Sequence, residues 1–329
     1  MTVIDRLRQP PPLDLMASAY KDWLHVNIFD HSAGLVGLCN VSLHGNPDDP
    51  RSLAVGAVVL AEMDGLPRAR VEVVDMAAAR RSPTSIGIGD LVAISLAQGA
   101  IDVAAHLPDG TAVDLSCIAT APSIAAERPE PFGSGWIAWR ALPRLAVAGS
   151  IDLGGRRISP DRAVGYHDHN WGRWHWGDDG GWTWAVLAAK DGTVLVLSHT
   201  TNRSHRTGSP NVHVVWGSTI RRFSGHSVRV TGTGRLKGRL GRHPGAMAAL
   251  HGGRTTPLLP EVVRIDADDG FDRVVAELRP VHGIQLITAD PVAPGYGFIH
   301  ELAGPFEFES VIDGNSTVGS GLGIFEHVD

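Results

Sequence analysis

Cysteine is nearly absent: the 329 residues hold two, Cys39 and Cys117, and neither has a CxxC partner. That excludes a disulfide framework, and each sits in an apolar run where a small buried hydrophobe is the expected role. Long hydrophobic runs are missing too. Nothing approaches the roughly 18 apolar residues of a membrane-spanning helix, and residues 1–12 carry charges and three prolines instead of an apolar leader. A cytoplasmic location is the expectation. The net charge of -6 provides no global field to recruit nucleic acid. The one basic concentration, Arg235, Lys237, Arg239, Arg242 and His243, lies in the glycine-rich stretch 234–245 and reads as a solvated loop.

Several enzyme signatures are also missing. There is no Gly-x-Ser-x-Gly and no P-loop, and His300-Glu301 is not followed by a second histidine at metalloprotease spacing. Gly232-Thr-Gly234 lacks the third glycine of a dinucleotide site and has no helix after it. No cofactor is expected.

What the chain has is glycine, 39 residues spaced between short runs of valine, isoleucine and leucine. That pattern predicts many strands joined by tight turns, with helical periodicity scarce. Runs at 23–29, 35–43, 53–60, 69–74, 101–107, 112–118, 144–153, 162–170, 181–187, 193–199, 212–220, 227–233, 261–267, 273–278 and 319–326 have strand character. Asp109-Gly110, Asp191-Gly192, Asp269-Gly270 and Asp313-Gly314 fall between such runs as hairpin turns would. About fifteen strands exceed one small closed barrel. Two all-β barrel or sandwich domains, 1–155 and 156–329, are the economical arrangement. Short helices are expected only at 13–20 and 245–251, and 120–135 reads as an extended connection.

Chemistry concentrates at Tyr166-His167-Asp168-His169-Asn170-Trp171-Gly172, followed by Trp174, His175 and Trp176. Four metal-ligand types within nine residues raise a metal site, with His199 or His213 as distant ligands. On a strand, however, side chains alternate: His167 and His169 share one face, while Tyr166, Asp168 and Asn170 share the other with Val164. This favours a metal-free site in which Asp168 faces an apolar interior. There a desolvated carboxyl retains its proton and can act as a general acid, with Tyr166 orienting it or relaying the proton. The structural alternative has Asp168 tying down a turn. Trp136, Trp139, Trp171, Trp174, Trp176, Trp182 and Trp184 flank the acid. Such an aromatic wall suits a polyene and stabilises cationic character. Core packing is the alternative, most clearly for Trp182 and Trp184.

The central motif after Trp139-Arg-Ala-Leu-Pro143 resembles the carotenoid 1,2-hydratase (hydroxyneurosporene synthase) superfamily, which includes AttH-like proteins and lipocalin-like Diels–Alderases. Trp23-Leu-His-Val-Asn-Ile-Phe29 and Gly319-Ser-Gly-Leu-Gly-Ile-Phe-Glu326 are similar to that family's opening and closing strands. The resemblance implies tandem lipocalin-like (calycin) antiparallel barrels with a ligand in a barrel or between them. It also implies that Tyr166 and Asp168 protonate an alkene. The hydratases' upstream His-x-Trp pair has no counterpart here, where Trp136-Ile-Ala-Trp139 offers tryptophan alone. The expected activity is a lyase (hydratase) or an isomerase (cyclase) acting on an unsaturated isoprenoid or polyketide. A Diels–Alderase-type pericyclase and a non-catalytic lipophile carrier are the alternatives. Asp168 and Tyr166 are the expected catalytic pair, with Trp136, Trp139, His167, His169, Asn170, Trp171 and Trp174 around the substrate. The expected partner is a hydrophobic small molecule, with a membrane surface as a candidate transient contact and no nucleic acid.

Overall fold

The computed structural model describes residues 6–8, 10, 17–97, 99–126, 128–237, 240–243 and 259–328. Valine-rich, glycine-punctuated runs form strands throughout: the protein is all-β, built of two curled antiparallel sheets that make lipocalin-like half-barrels. In the first, β1 (Tyr20–Asp30), β2 (Leu35–His44), β3 (Leu53–Glu62) and β4 (Arg68–Asp75) form one meander. A second meander runs through β5 (Arg80–Ser82), β6 (Ser85–Ile88), β7 (Val92–Ala97), β8 (Ala100–His106) and β9 (Ala112–Ala119). The long β12 (Gly135–Asp152) and β14 (Val164–Arg173) join the two meanders, in the order β4-β3-β2-β1-β14-β12-β9-β8-β7-β6-β5. Short β10 (Ile124–Ala125), β11 (Glu130–Phe132) and β13 (Arg157–Ile158) pair on β12.

The second sheet contains β15 (Gly181–Ala189), β16 (Val194–Thr201), β17 (Asn211–Trp216), β18 (Thr219–Ser224), β19 (Val228–Thr233), β20 (Leu240–His243), β21 (Val262–Asp268), β22 (Arg273–Leu278), β23 (His282–Ala289), β24 (Tyr296–Ile312) and β25 (Asn315–Val328). Its order is β18-β17-β16-β15-β25-β24-β22-β21-β19, with β23 on β24 and β20 parallel to β23.

All four Asp-Gly pairs connect consecutive antiparallel strands. At Asp313-Gly314 both residues have positive φ, 52° and 75°, and Ile312 pairs with Asn315 across them. That is the two-residue hairpin geometry that accommodates strand twist.

Four expectations change. The chain leaves the first sheet after Arg173 and enters the second at Gly181, so the break at 155/156 lies inside the first sheet. Gly154-Gly155 only folds β13 back onto β12. Of the helix expected at 13–20, residues 17–19 form a 3-10 turn, Tyr20 begins β1, and the remainder lies outside the described residues, as does 245–251. The 120–135 segment contributes β10 and β11 instead of running free. Residues 240–243 of the basic stretch form a strand, and Arg239 lies outside the described residues.

Four apolar clusters lie among the described residues, and three of them define the packing of the sheets. Leu24, Val26, Ile28, Val58, Ile86 and Val103 belong to the first sheet's own core, with Cys39 and Cys117 buried in it as free thiols whose pKa burial pushes up to about 12. Leu187, Leu197, Phe223, Ile265, Phe306 and Phe325 belong to the second's. Phe29, Leu38, Trp139, Tyr166, Val186, Val196 and Ile324 form a third cluster between the sheets. Strand β1 is therefore buried on both sides: Asp22, Leu24, Val26 and Ile28 on one face, and Lys21, Trp23, His25, Asn27 and Phe29 on the other, toward the seam. Fully burying each large apolar side chain contributes about 1.5–3 kcal/mol, which makes the seam cluster a main source of cohesion between the sheets.

A charged contact crosses the seam. Lys21 Nζ lies 3.6 Å from Asp290 Oδ2 with both side chains fully buried, donates to the carbonyls of Ala19 and Trp174, and faces the Trp174 and Trp176 rings. Burial pulls the lysine pKa down to about 8 against the opposing effect of Asp290. Burial also works against the Asp290 carboxylate, but Lys21 and the N–H groups of Val292, Trp176 and Ala293 outweigh it and lower its pKa. Asp290→Ala, which strands the buried ammonium, is expected to destabilise the protein by about 3–5 kcal/mol in urea unfolding. Replacing both partners with apolar residues is expected to be far milder.

Candidate active site

The alternation of β14 distributes the central motif across two environments. Val26 pairs with His167 and Leu24 with His169, which puts both histidines on the inner face of the first sheet. There His167 Nδ1 lies 2.9 Å from the His25 carbonyl, and His169 Nε2 is 2.6 Å from Asp22 Oδ1 with its side chain fully buried. His25 pairs with Asp168, Asn27 with Tyr166 and Trp23 with Asn170, so these residues face the seam. Among the described residues, no three His, Cys, Asp or Glu side chains are grouped so as to hold a metal ion.

On the seam side, Tyr166 Oη donates to Asp168 Oδ2 at 2.9 Å, and Asn170 Nδ2 donates to Asp168 Oδ1. Burial raises the Asp168 pKa to about 6; His25 and the Tyr166 and Asn170 hydrogen bonds pull it down, while Glu326 pushes it up. Burial, then the adjacent carboxyl, keeps the Tyr166 phenol protonated well above its usual range, so it serves as a donor.

Asp168 lines a small inner chamber of about 30 Å³ together with His25, Asn27, Asn170, Trp139, Glu301 and Glu326. Beyond it lies an outer cavity of about 320 Å³ between the sheets. Trp23, His25, Trp182, Glu301 and Glu326 border both, so the two spaces meet at the glutamates. Leu38, Leu53, Val55 and Ala57 from the first sheet and Leu286, Ile287 and Ile299 from the second make the outer cavity apolar. Half-exposed Val73 on β4 lies along its rim. The acid's own chamber combines apolar walls, from Trp23, Ile137, Trp139, Trp182, Trp184 and Ile324, with the polar groups of His25, Asn27, Asn170, Glu301 and Glu326.

Glu301 and Glu326 oppose each other on β24 and β25. Burial, then Glu326, raises the Glu301 pKa far above normal, so Glu301 keeps its proton and hydrogen-bonds to Glu326. Trp182 Nε1 donates to Glu326 Oε1. In the outer cavity, burial and then Lys21 lower the His44 pKa to about 3, so it stays neutral, accepting from Trp176 Nε1 at 3.4 Å and lying 3.0 Å from Ser42 Oγ.

Of the expected residues, the structure brings together Asp168, Tyr166, Asn170 and Trp139. Trp136 and Trp171 line a separate open groove with Arg6, Arg8 and Arg81, where the Arg8 guanidinium sits over the Trp171 ring. Trp136 and Trp139 are three residues apart, an odd separation that places them on opposite faces of a strand. Trp174 is buried behind the chamber among Trp23, Phe132 and Trp176. Trp182 and Trp184, best explained as core in the sequence, line the chamber. His25, Glu301 and Glu326 were not singled out. The available signal was a charged residue inside each of two apolar strand runs, 299–303 and 322–326.

No family model matches the chain, and no curated protein matches it. Solved structures do. An AttH protein of Nitrosomonas europaea superposes with a TM-score of 0.68 at 15% identity, covering 94% of this chain and 92% of its own. Kievitone hydratase of Nectria haematococca gives 0.63 at 14%, covering 96% and 90%. CghA with Sch210972 gives 0.63 at 12%, covering 95% and 89%. The fold is thus shared, nearly end to end, with these three proteins.

The raised Asp168 pKa has a sign that can be checked. Between the unfolded value near 3.8 and the folded value near 6, the native state binds the extra proton, so this group's contribution to stability falls as pH rises. The loss amounts to about 3 kcal/mol and is complete above the folded pKa. Asp168→Asn is expected to remove it. Urea unfolding from pH 4 to 7.5 should show the variant gaining on the unaltered protein as pH rises through 4–6.

Proposed function

We propose that the protein is a cofactor-independent hydratase that protonates a C=C bond of a hydrophobic isoprenoid or polyketide, with Asp168 as the acid. The observation carrying this reading is a buried, tyrosine-bridged carboxyl whose pKa burial holds near 6, in a small chamber adjoining an apolar cavity between two sheets. Such a group stays partly protonated near neutral pH and can transfer that proton. At interior packing density, about 0.75, the outer cavity accommodates a ligand portion on the order of 15 non-hydrogen atoms. Trp23, Trp139, Trp182 and Trp184 present indole surface around the acid, suited to shielding the cation that protonation creates.

The activity named for kievitone hydratase supports hydration on this scaffold. CghA, solved with Sch210972, shows that a protein of this fold accommodates a small molecule. A cyclase reading rests on the same acid, with the cation captured by a second alkene of the substrate in the apolar outer cavity. Pericyclic chemistry needs orientation alone.

Incubation with unsaturated isoprenoids and polyketides, followed by mass spectrometry, separates these readings. A product heavier by one water is expected. Unchanged mass with altered retention would move the assignment to a cyclase or pericyclase, and unaltered ligand throughout would leave a carrier. Asp168→Asn is expected to lower product formation about 100-fold or more. Full activity in that variant would remove the general-acid role.

A further inference from the structure

The inner chamber is too small for a carbon skeleton. Its volume of about 30 Å³ matches two or three water molecules, since about 10–15 Å³ of this kind of volume holds one. Polar groups set within its largely aromatic lining suit that occupant. Asn27 and Trp139 are 1% and 4% exposed, both border the chamber, and Asn27 Nδ2 and Trp139 Nε1 have no acceptor among the described residues. A buried donor without a partner costs about 1–3 kcal/mol. The carboxyl groups of Asp168 and Glu326 line the same chamber and supply acceptor oxygens. An oxygen that accepts from Asn27 and Trp139 and donates to a carboxylate satisfies the set, and water is the smallest molecule able to do both.

We propose that this chamber is the binding site of the reacting water, and that Glu326 takes that water's proton as it adds to the substrate cation. The proposal rests on the hydratase reading above. Glu326 stands at the junction between the water chamber and the apolar cavity. It is held there by the Trp182 indole N–H and by Glu301 directly across the strand pair. Two buried carboxyls so opposed cannot both ionise, so Glu301 keeps a proton, donates it to Glu326, and acts as a positioning residue.

The step balances. The π electron pair of the alkene, seated where the outer cavity adjoins the chamber, takes a proton that Asp168 passes through a chamber water, forming a C–H bond and leaving a tertiary cation on the neighbouring carbon. A lone pair of the chamber water forms the C–O bond, and one water proton passes to Glu326. The proton then returns from Glu326 to Asp168 through the next water to enter the chamber. The sum is one alkene plus one water giving one alcohol.

The site can be read without turnover. A crystal structure of the ligand-free protein at about 1.5 Å or better is expected to show an ordered water within hydrogen-bond reach of Asn27 Nδ2 and a carboxylate oxygen of Glu326 or Asp168. A dry chamber overturns the proposal. Asn27→Leu, which removes a donor and fills the space, is expected to lose that water and to lower hydration at least 10-fold.

The role of Glu326 is read in D2O with Glu326→Gln, which preserves shape and an acceptor for Trp182. Alcohol formation is expected to fall about 100-fold or more, while the recovered alkene still gains deuterium because Asp168 continues to protonate it. Hydration within threefold of the unaltered protein, or loss of deuterium uptake together with alcohol, overturns the assignment of water capture to Glu326. Neither alcohol nor deuterium uptake with the unaltered protein would instead remove the hydratase reading, leaving the water site to be judged by the crystal structure.

Discussion

The structure depends on strands β1 and β14 being buried on both faces at once. A strand with one wet face can place its polar residues in water. These two cannot, because one side packs in the first half-barrel and the other closes against the second. Every polar group on them therefore needs a partner, a protein group or an ordered water. On the inner face His169 finds Asp22, and His167 finds a backbone carbonyl. On the seam face Lys21 finds Asp290, and Asp168 finds Tyr166 and Asn170. The chemistry of the site is a consequence of the second set, since only there does a carboxyl lie beside a cavity.

Two polar centres occupy the same seam and differ in their settlement. Lys21 and Asp290 are opposite charges that satisfy one another and fasten the sheets. Asp168, Glu301 and Glu326 are like groups brought together by three strands from distant parts of the chain, and proximity forces them to share fewer charges than carboxyls. Burial raises the pKa of both Asp168 and Glu301. His25 and the hydrogen bonds from Tyr166 and Asn170 moderate this at Asp168, which is left titrating near 6, where proton transfer in either direction is inexpensive.

Much of this could be read from the sequence because it depends on period-2 alternation within one strand. The separation of Tyr166, Asp168 and Asn170 from His167 and His169 needed only that rule, and the Asp-Gly turns needed only local conformational preference. The partners of Asp168 across the seam could not be read this way. Glu301 and Glu326 approach it through pairing of β24 and β25 and packing of one half-barrel on the other, and neither interaction leaves a local pattern. The tryptophans show the same limit. Trp136 and Trp139 are close in sequence and face opposite ways, whereas Trp182, apparently ordinary core, holds a glutamate at the junction of two cavities. The position of the sheet break after Arg173 was likewise hidden, because a glycine-rich turn inside a sheet and one between sheets have the same composition.

The central claim is that Asp168 holds a proton near neutral pH because the seam desolvates it. The most direct measurement is the ionisation of that carboxyl in the ligand-free protein, followed from pH 4 to 8 by the infrared carbonyl stretch or by carbon NMR of labelled aspartate, with Asp168→Asn identifying the signal. Protonated carboxyl at pH 5 that ionises with a midpoint near 6 is the expected result. A carboxylate that remains ionised down to pH 4 would contradict it.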